Sequence, residues 1–276
     1  MSGTSYHQTG SGGPEDAVCQ YDGSRLWFRG PQRSLDTPYM ACVGGTETFG
    51  RFVERPFPSI LEGKLDRRCL NLGSLFCGVD ALLRDTGLRS LLSGAEMCVL
   101  QAPDILGQSN RFYKVHPRRN DRFLAPTDDL CSLYPEIDFT DVHFVHHLVS
   151  LLKGHQDARF EVVAEDLRKN WVGLLRELFN SLKAPVILLN LDVRRQSDEC
   201  EFGTDAQVPV SAEMLGAVRP YCLDVVDLFV NVSGQSEELE DMLFGTLQQP
   251  MAEHMIGPAA HRKIAETLSR RIWDLQ

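Results

Sequence analysis

Apolar positions along the chain fall into short solid runs separated by stretches of helical spacing. TPYMACVGG (37–45), CLNLG (69–73) and EMCVLQA (96–102) read as buried strands, the first stopped by two glycines. APVILLNLDV (184–193) is the clearest strand, and LDVVDLFVNVS (223–233) follows it. Between them, 52–64 carries a helical pattern broken near Pro56 and Pro58. GVDALLRDTGLRSLL (78–92) sets Val79, Leu82, Leu83, Leu88, Leu91 and Leu92 mostly on one helical face. Helices are also expected over 159–182, around 211–218, and over 257–275, where Gly257 and Pro258 form a start signal. Alternation of this kind predicts one parallel sheet, with strands near 39–44, 68–72, 97–102, 185–191 and 224–231 and helices on both faces. The fold class is therefore α/β, a three-layer sandwich of the flavodoxin-like type, with 103–158 inserted after the third strand and lying over the strand ends. Residues 1–20 are Gly/Ser-rich and read as a flexible N-terminus, leaving 21–276 as a single domain.

Ligands of such sheets sit at the carboxyl ends of the strands, so functional residues are expected just after 44, 73, 102 and 192. Gly44-Gly45-Thr46-Glu47-Thr48-Phe49-Gly50 leaves the first strand and enters a helix. A hydroxyl at that turn is exposed beside helix N-terminal amides, although a Thr there also serves as an ordinary cap. The run VGGTETFG, followed by CLNLGSLFCG, resembles the opening of the SGNH/GDSL hydrolase family. That resemblance implies Thr46 in the nucleophile position and Gly78 or Gly73 as the second-block glycine. It also makes Gly107-Gln108-Ser109-Asn110 a third block, with Asn110 as an oxyanion donor, and His254 or His261 the base. Two departures stand out. Thr46 replaces the expected serine, and the position three residues before each histidine holds Met251 or Pro258 rather than Asp. GGTETFGRFVERPFP together with SNRFYKVHPRRNDRF also resembles a bacterial family known as a domain of unknown function, and this likeness covers most of the chain.

Charge adds a second candidate. The segment 111–122 holds four Arg and one Lys against one Asp, a formal +4 in a chain of net charge −10. Arg111, Arg118, Arg119 and Arg122, with His116 of the same segment and Glu47 of the turn after the first strand, are candidate contacts to an anionic or glycan-like ligand, because guanidinium groups grip carboxylate, phosphate or sulfate in pairs. The competing reading is a set of surface ion pairs with the acidic remainder. His143 and His147 at i,i+4 suggest metal ligands only if a third is supplied elsewhere; no metal and no cofactor is expected, since no Walker or dinucleotide fingerprint occurs.

The remaining composition narrows the class. The acidic balance argues against general nucleic-acid binding, and no apolar run approaches the roughly 20 residues of a membrane span. Eight scattered cysteines without a CxxC pair, and an opening that lacks a basic, apolar leader, fit buried thiols in the cytoplasm. Two functions follow: an SGNH-like esterase, acyl hydrolase or acyltransferase, or an inactive SGNH-like protein that binds an anionic ligand through the arginine loop.

Overall fold

A computed structural model describes residues 18–194, 208–235 and 237–275. In chain order it contains β1 (Val18–Cys19), β2 (Phe28–Arg29), β3 (Met40–Gly44), α1 (Thr46–Phe49), α2 (Phe57–Leu65), β4 (Cys69–Gly73), α3 (Val79–Arg84), α4 (Thr86–Gly94), β5 (Met97–Gln101), β6 (Tyr113–Val115) and β7 (Phe123–Pro126). There follow α5 (Asp128–Leu133), α6 (Val145–His155), α7 (Asp157–Ser181), β8 (Val186–Arg194), α8 (Ala212–Val218), β9 (Asp224–Asn231), α9 (Gln249–Ala252) and α10 (Pro258–Asp274). The expected flexible opening falls outside the described residues as far as residue 17. Beyond it, Val18–Cys19 pairs antiparallel with Phe28–Arg29.

The central sheet runs β4-β3-β5-β8-β9 with every pair parallel. Numbered by strand order this is the flavodoxin-like 2-1-3-4-5, in which the direction of strand addition reverses between the first and third strands. Side chains alternate between two cores because successive Cβ atoms point to opposite faces. Ala41, Val43, Leu70, Leu72, Cys98, Leu100, Val186 and Leu188 face a core closed by α3, α4, α6, α7 and α8. Met40, Cys42, Cys69, Val99, Ile187 and Leu189 face a second core closed by Phe57, Leu61 and Leu65 of α2 and Ile264, Leu268 and Ile272 of α10. Apolar residues buried on both faces explain why the strands read as solid runs rather than alternating ones.

Two local expectations are corrected. The helical stretch 78–92 is two helices, because Asp85 ends the first and caps the second: its Oδ1 accepts the Leu88 N–H at 2.8 Å and its Oδ2 accepts the Arg25 N–H at 2.8 Å. His143 precedes α6 rather than lying on it, so the i,i+4 relation to His147 does not exist. Among the described residues no cluster of three or more His, Cys, Asp or Glu is placed to hold a metal, and no described helix is long and apolar enough to cross a membrane.

Residues 103–158 form the β6–β7 hairpin and helices α5 and α6. Phe112, Tyr113, Val115 and Phe123 are buried in the first core, so the segment packs into that core. Its root is fixed by Trp171 of α7, whose Nε1–H donates to the Pro103 carbonyl at 2.9 Å. The seven described cysteines are free thiols, and burial pushes Cys77 and Cys98 up to about 12.

Candidate functional site

The turn after β3 is built by close approach. A Cβ on Gly44 would lie 2.3 Å from Thr48 Oγ1 and 2.6 Å from Gln101 Cβ, and one on Gly73 would lie 2.3 Å from the Phe49 nitrogen. Glycine at the two strand ends therefore lets the short α1 sit directly on the sheet. Gly50 ends α1 with φ 65°, the left-handed conformation that favours glycine.

Gln101, the last residue of β5, organises this turn. Its Oε1 accepts the Gly45 N–H at 3.2 Å, the Thr48 N–H at 3.1 Å and the Thr48 hydroxyl at 2.6 Å. Its Nε2 donates to Glu47 Oε2 at 2.6 Å. Thr46 Oγ1 accepts the Phe76 N–H at 3.4 Å, a long contact from the loop after β4. Phe76 itself holds φ 58°, unusual for a residue with a side chain.

Beside this turn Thr46, Glu47, Gly50, Arg51, Phe52, Met255, Ile256 and His261 line a crevice. About 10 Å3 of it is open to the centre of a water molecule, which is the room for a single water. His261 is one of these lining residues. The ring is fully buried, and its Nδ1 accepts the Phe57 N–H at 3.1 Å. An imidazole that accepts at Nδ1 and is neutral carries its proton on Nε2. Burial, and secondarily the charge of Arg29, push its pKa down to about 3, so the ring is neutral at physiological pH. Arg29 is itself buried, donating to the carbonyls of Phe49, Gly50 and Val53 at 3.4, 2.6 and 3.1 Å. His261 Nε2 has no hydrogen-bond partner among the described residues, a costly state for a buried donor.

The structure therefore brings Thr46, Glu47 and His261 to one crevice and excludes several other candidates from it. His254 is exposed and does not line the crevice. The role of base expected of His261 is corrected: a triad histidine donates from Nδ1 and accepts at Nε2, whereas this one is turned the other way. The Gly78 N–H is occupied by Asn120 Oδ1 at 2.7 Å. Asn110 is spent on its own loop, Oδ1 accepting from Phe112 and Tyr113 at 2.8 and 3.1 Å and Nδ2 donating to the Gln108 carbonyl at 3.0 Å. Neither is placed as an oxyanion donor.

The arginine loop is also corrected. Arg111 pairs with Asp129 at 2.6 Å, and Arg119 reaches both oxygens of Asp121 at 3.1 and 2.9 Å. Arg122 stacks over the Phe144 ring at 4.6 Å, Arg118 is exposed, and none of the four lines the crevice. His116 Nδ1 accepts the N–H groups of Arg118 and Arg119 at 3.3 and 3.1 Å, which shapes the loop. The loop nevertheless reaches the candidate site by another route. Arg119 lies 4.2 Å over the Phe76 ring. Asn120 donates its N–H to the Phe76 carbonyl at 3.1 Å, accepts from Gly78 and Ala81, and gives Nδ2 to the His116 carbonyl at 2.8 Å. Asn120 and Gln101 are the organising residues that sequence reasoning passed over; Gln101 was legible only as the last polar residue of a buried strand.

No curated protein matches the chain. Among solved structures, the lipase Lip_vut3 from a goat rumen metagenome superposes with a TM-score of 0.40 at 12% identity, over 84% of this chain and 96% of that one. A likeness at that level bears on neither activity nor site. The profile of the family described as "Domain of unknown function (DUF6473)" matches residues 4–276, and the chain belongs to that family.

Proposed function

We propose that the crevice at the ends of β3 and β5 receives the carbonyl oxygen of a small acyl ester, which the protein hydrolyses or transfers with Thr46 in the nucleophile position. The observation behind this reading is the buried Nε2–H of His261, which has no partner among the described residues and belongs to a crevice that Thr46 also lines. A neutral imidazole donor in a water-poor site favours an oxygen that gains negative charge during acyl transfer. The crevice has room for one oxygen atom rather than a whole substrate, so the remainder of the ester lies outside it. Arg51 lines the same rim, which suits an anionic or carbohydrate-like ester. Free thiols, five of the seven described ones buried, fit a cytoplasmic setting.

A second reading, a binding protein without turnover, is favoured by the occupied amides of Gly45, Thr48 and Gly78. Turnover of p-nitrophenyl acetate by the wild type, lost at least about 100-fold in Thr46→Ala, supports the ester reading. Absence of turnover together with NMR shift changes at His261 on addition of acetate selects the binding reading. Neither turnover nor shift changes overturns both.

A further inference from the structure

We infer that Glu47 takes the proton from Thr46 in the ester reaction, with Gln101 as the residue that positions it. This rests on the ester reading above and supplies the proton acceptor which that reading lacks. His261 carries its proton toward the crevice rather than a lone pair, and His254 lies elsewhere. Of the residues lining the crevice, the remaining ionisable side chains are Glu47 and Arg51, and a guanidinium does not act as a base near neutral pH. Among the described residues, Glu47 is the one carboxylate lining it.

Its carboxylate is also held. Gln101 Oε1 faces two backbone N–H groups, so the amide is oriented without ambiguity, since the flipped amide would set donors against donors. Nε2 then has to face Glu47, which it meets at 2.6 Å through Oε2. Gln101 is itself buried and pressed onto Gly44, where a Cβ would collide with it at 2.6 Å, so the amide has little freedom to move. No second hydrogen bond to the Glu47 carboxylate is present among the described residues, which leaves Oε1 as its proton-accepting atom. A carboxylate in the first turn of a helix also interacts favourably with the helix end. That structural role alone would leave Glu47 important for stability and not for rate.

The step balances with an ester and water as the only reactants. Thr46 Oγ bonds to the acyl carbon as its proton passes to Glu47, and the carbonyl electron pair moves onto the oxygen facing His261 Nε2–H. The carbonyl re-forms as the bond to the alcohol breaks, and the departing alkoxide takes the proton from Glu47. Water then attacks the acyl-threonine, Glu47 accepting its proton and returning it to Thr46 Oγ.

The test uses the full chain and p-nitrophenyl acetate, with kcat/KM followed against pH and Tm measured for every variant. Glu47→Gln, which is isosteric, is expected to lower kcat about 100-fold or more with KM and Tm little changed. Gln101→Glu keeps the acceptor for Gly45 and Thr48 but sets a second carboxylate against Glu47. With the donor that holds Glu47 gone, it is expected to lower kcat about 10-fold or more with KM little changed, and an unchanged kcat overturns the positioning role of Gln101. An active wild type whose Glu47→Gln variant stays within threefold of it overturns the role of Glu47 and leaves the ester reading standing. A wild type inactive toward the ester overturns that reading and this inference together. Equal loss of Tm and rate in Glu47→Gln assigns the residue to the helix end and also overturns the inference.

Discussion

The Phe57 N–H donates to His261 Nδ1 at 3.1 Å, joining the first turn of α2 to the first turn of α10 across the second core. Proline precedes Phe57, and the backbone donors of a helix start need outside partners, so a buried imidazole acceptor stabilises that end. The bond also fixes the tautomer that makes Nε2 a donor.

A pH dependence of stability follows from this bond. The His261 pKa is depressed from an ordinary 6.5 to about 3, by burial first and Arg29 second. The unfolded chain binds a proton below about pH 6.5 that the folded one refuses until much lower. The unfolded state therefore holds more protons in that window, and stability falls as pH drops from about 6.5 toward 3. The slope from this residue should approach about 1.4 kcal/mol per pH unit. His261→Asn keeps an acceptor for Phe57 and cannot titrate. Urea melts at pH 7, 6, 5 and 4 are expected to show a smaller slope in the variant; equal slopes would refute the assignment.

Asn120 bonds the loop after β4 to the hairpin segment through Gly78, Ala81, the His116 carbonyl and the Phe76 carbonyl. Asn120→Ala strands two buried amide donors and is expected to cost about 2–4 kcal/mol. Asn120→Asp retains the acceptor and should lose less. Chemical denaturation of the two variants separates them, and equal losses would mean that the Oδ1 bonds contribute little.

Gly73→Ala is expected to be far worse than its size suggests. The new methyl would lie 2.3 Å from the Phe49 nitrogen and 2.6 Å from its Cα, both backbone atoms that cannot step aside. Either α1 lifts from the sheet or β4 shifts, so a loss of several kcal/mol or failure to fold is expected. A variant with wild-type Tm would show that α1 rides loosely on the sheet.

The fold was legible because both faces of β3, β5 and the first half of β8 are buried, which writes runs such as APVILL into the sequence. Five strands, their parallel pairing and the closing helix marked by Gly257 and Pro258 follow from local pattern alone. The site was legible only as a place. Thr46 lies where the strand-end rule puts it, but whether a histidine accepts or donates depends on what meets its other nitrogen, and Phe57 is 204 residues away along the chain. Gly78 and Asn110 failed for the same reason, because Asn120 and the local loop occupy them. Charge clustering misled about the arginines: Asp121 of the loop itself pairs with Arg119, and two further partners, Asp129 and Phe144, come from segments folded back onto the loop.

The arginines yield the last prediction. Arg118 and Arg122 make no ion pair with a described carboxylate, and neither lines the crevice. Removing both as Arg118→Ala/Arg122→Ala should change stability by less than about 1 kcal/mol and leave the proposed ester turnover unaltered. Arg119 is different, since it pairs with Asp121 and covers Phe76, whose N–H reaches Thr46 Oγ1. Phe76 occupies a left-handed backbone conformation at φ 58°, which costs about 1–3 kcal/mol and has to be offset by neighbours. Arg119→Ala takes away one of those neighbours. It is expected to cost about 1 kcal/mol, reflecting a half-exposed ion pair and one cation–π contact, and to lower the proposed ester turnover through a looser Thr46 turn. Because the stacking is less screened than the ion pair, Arg119→Lys, which keeps the charge but loses the planar guanidinium, should recover only part of the turnover. Stopped ester assays at low and high salt check this. Full recovery by lysine would reduce Arg119 to a simple charge, and an undiminished rate in Arg119→Ala would disconnect the loop from Thr46 altogether.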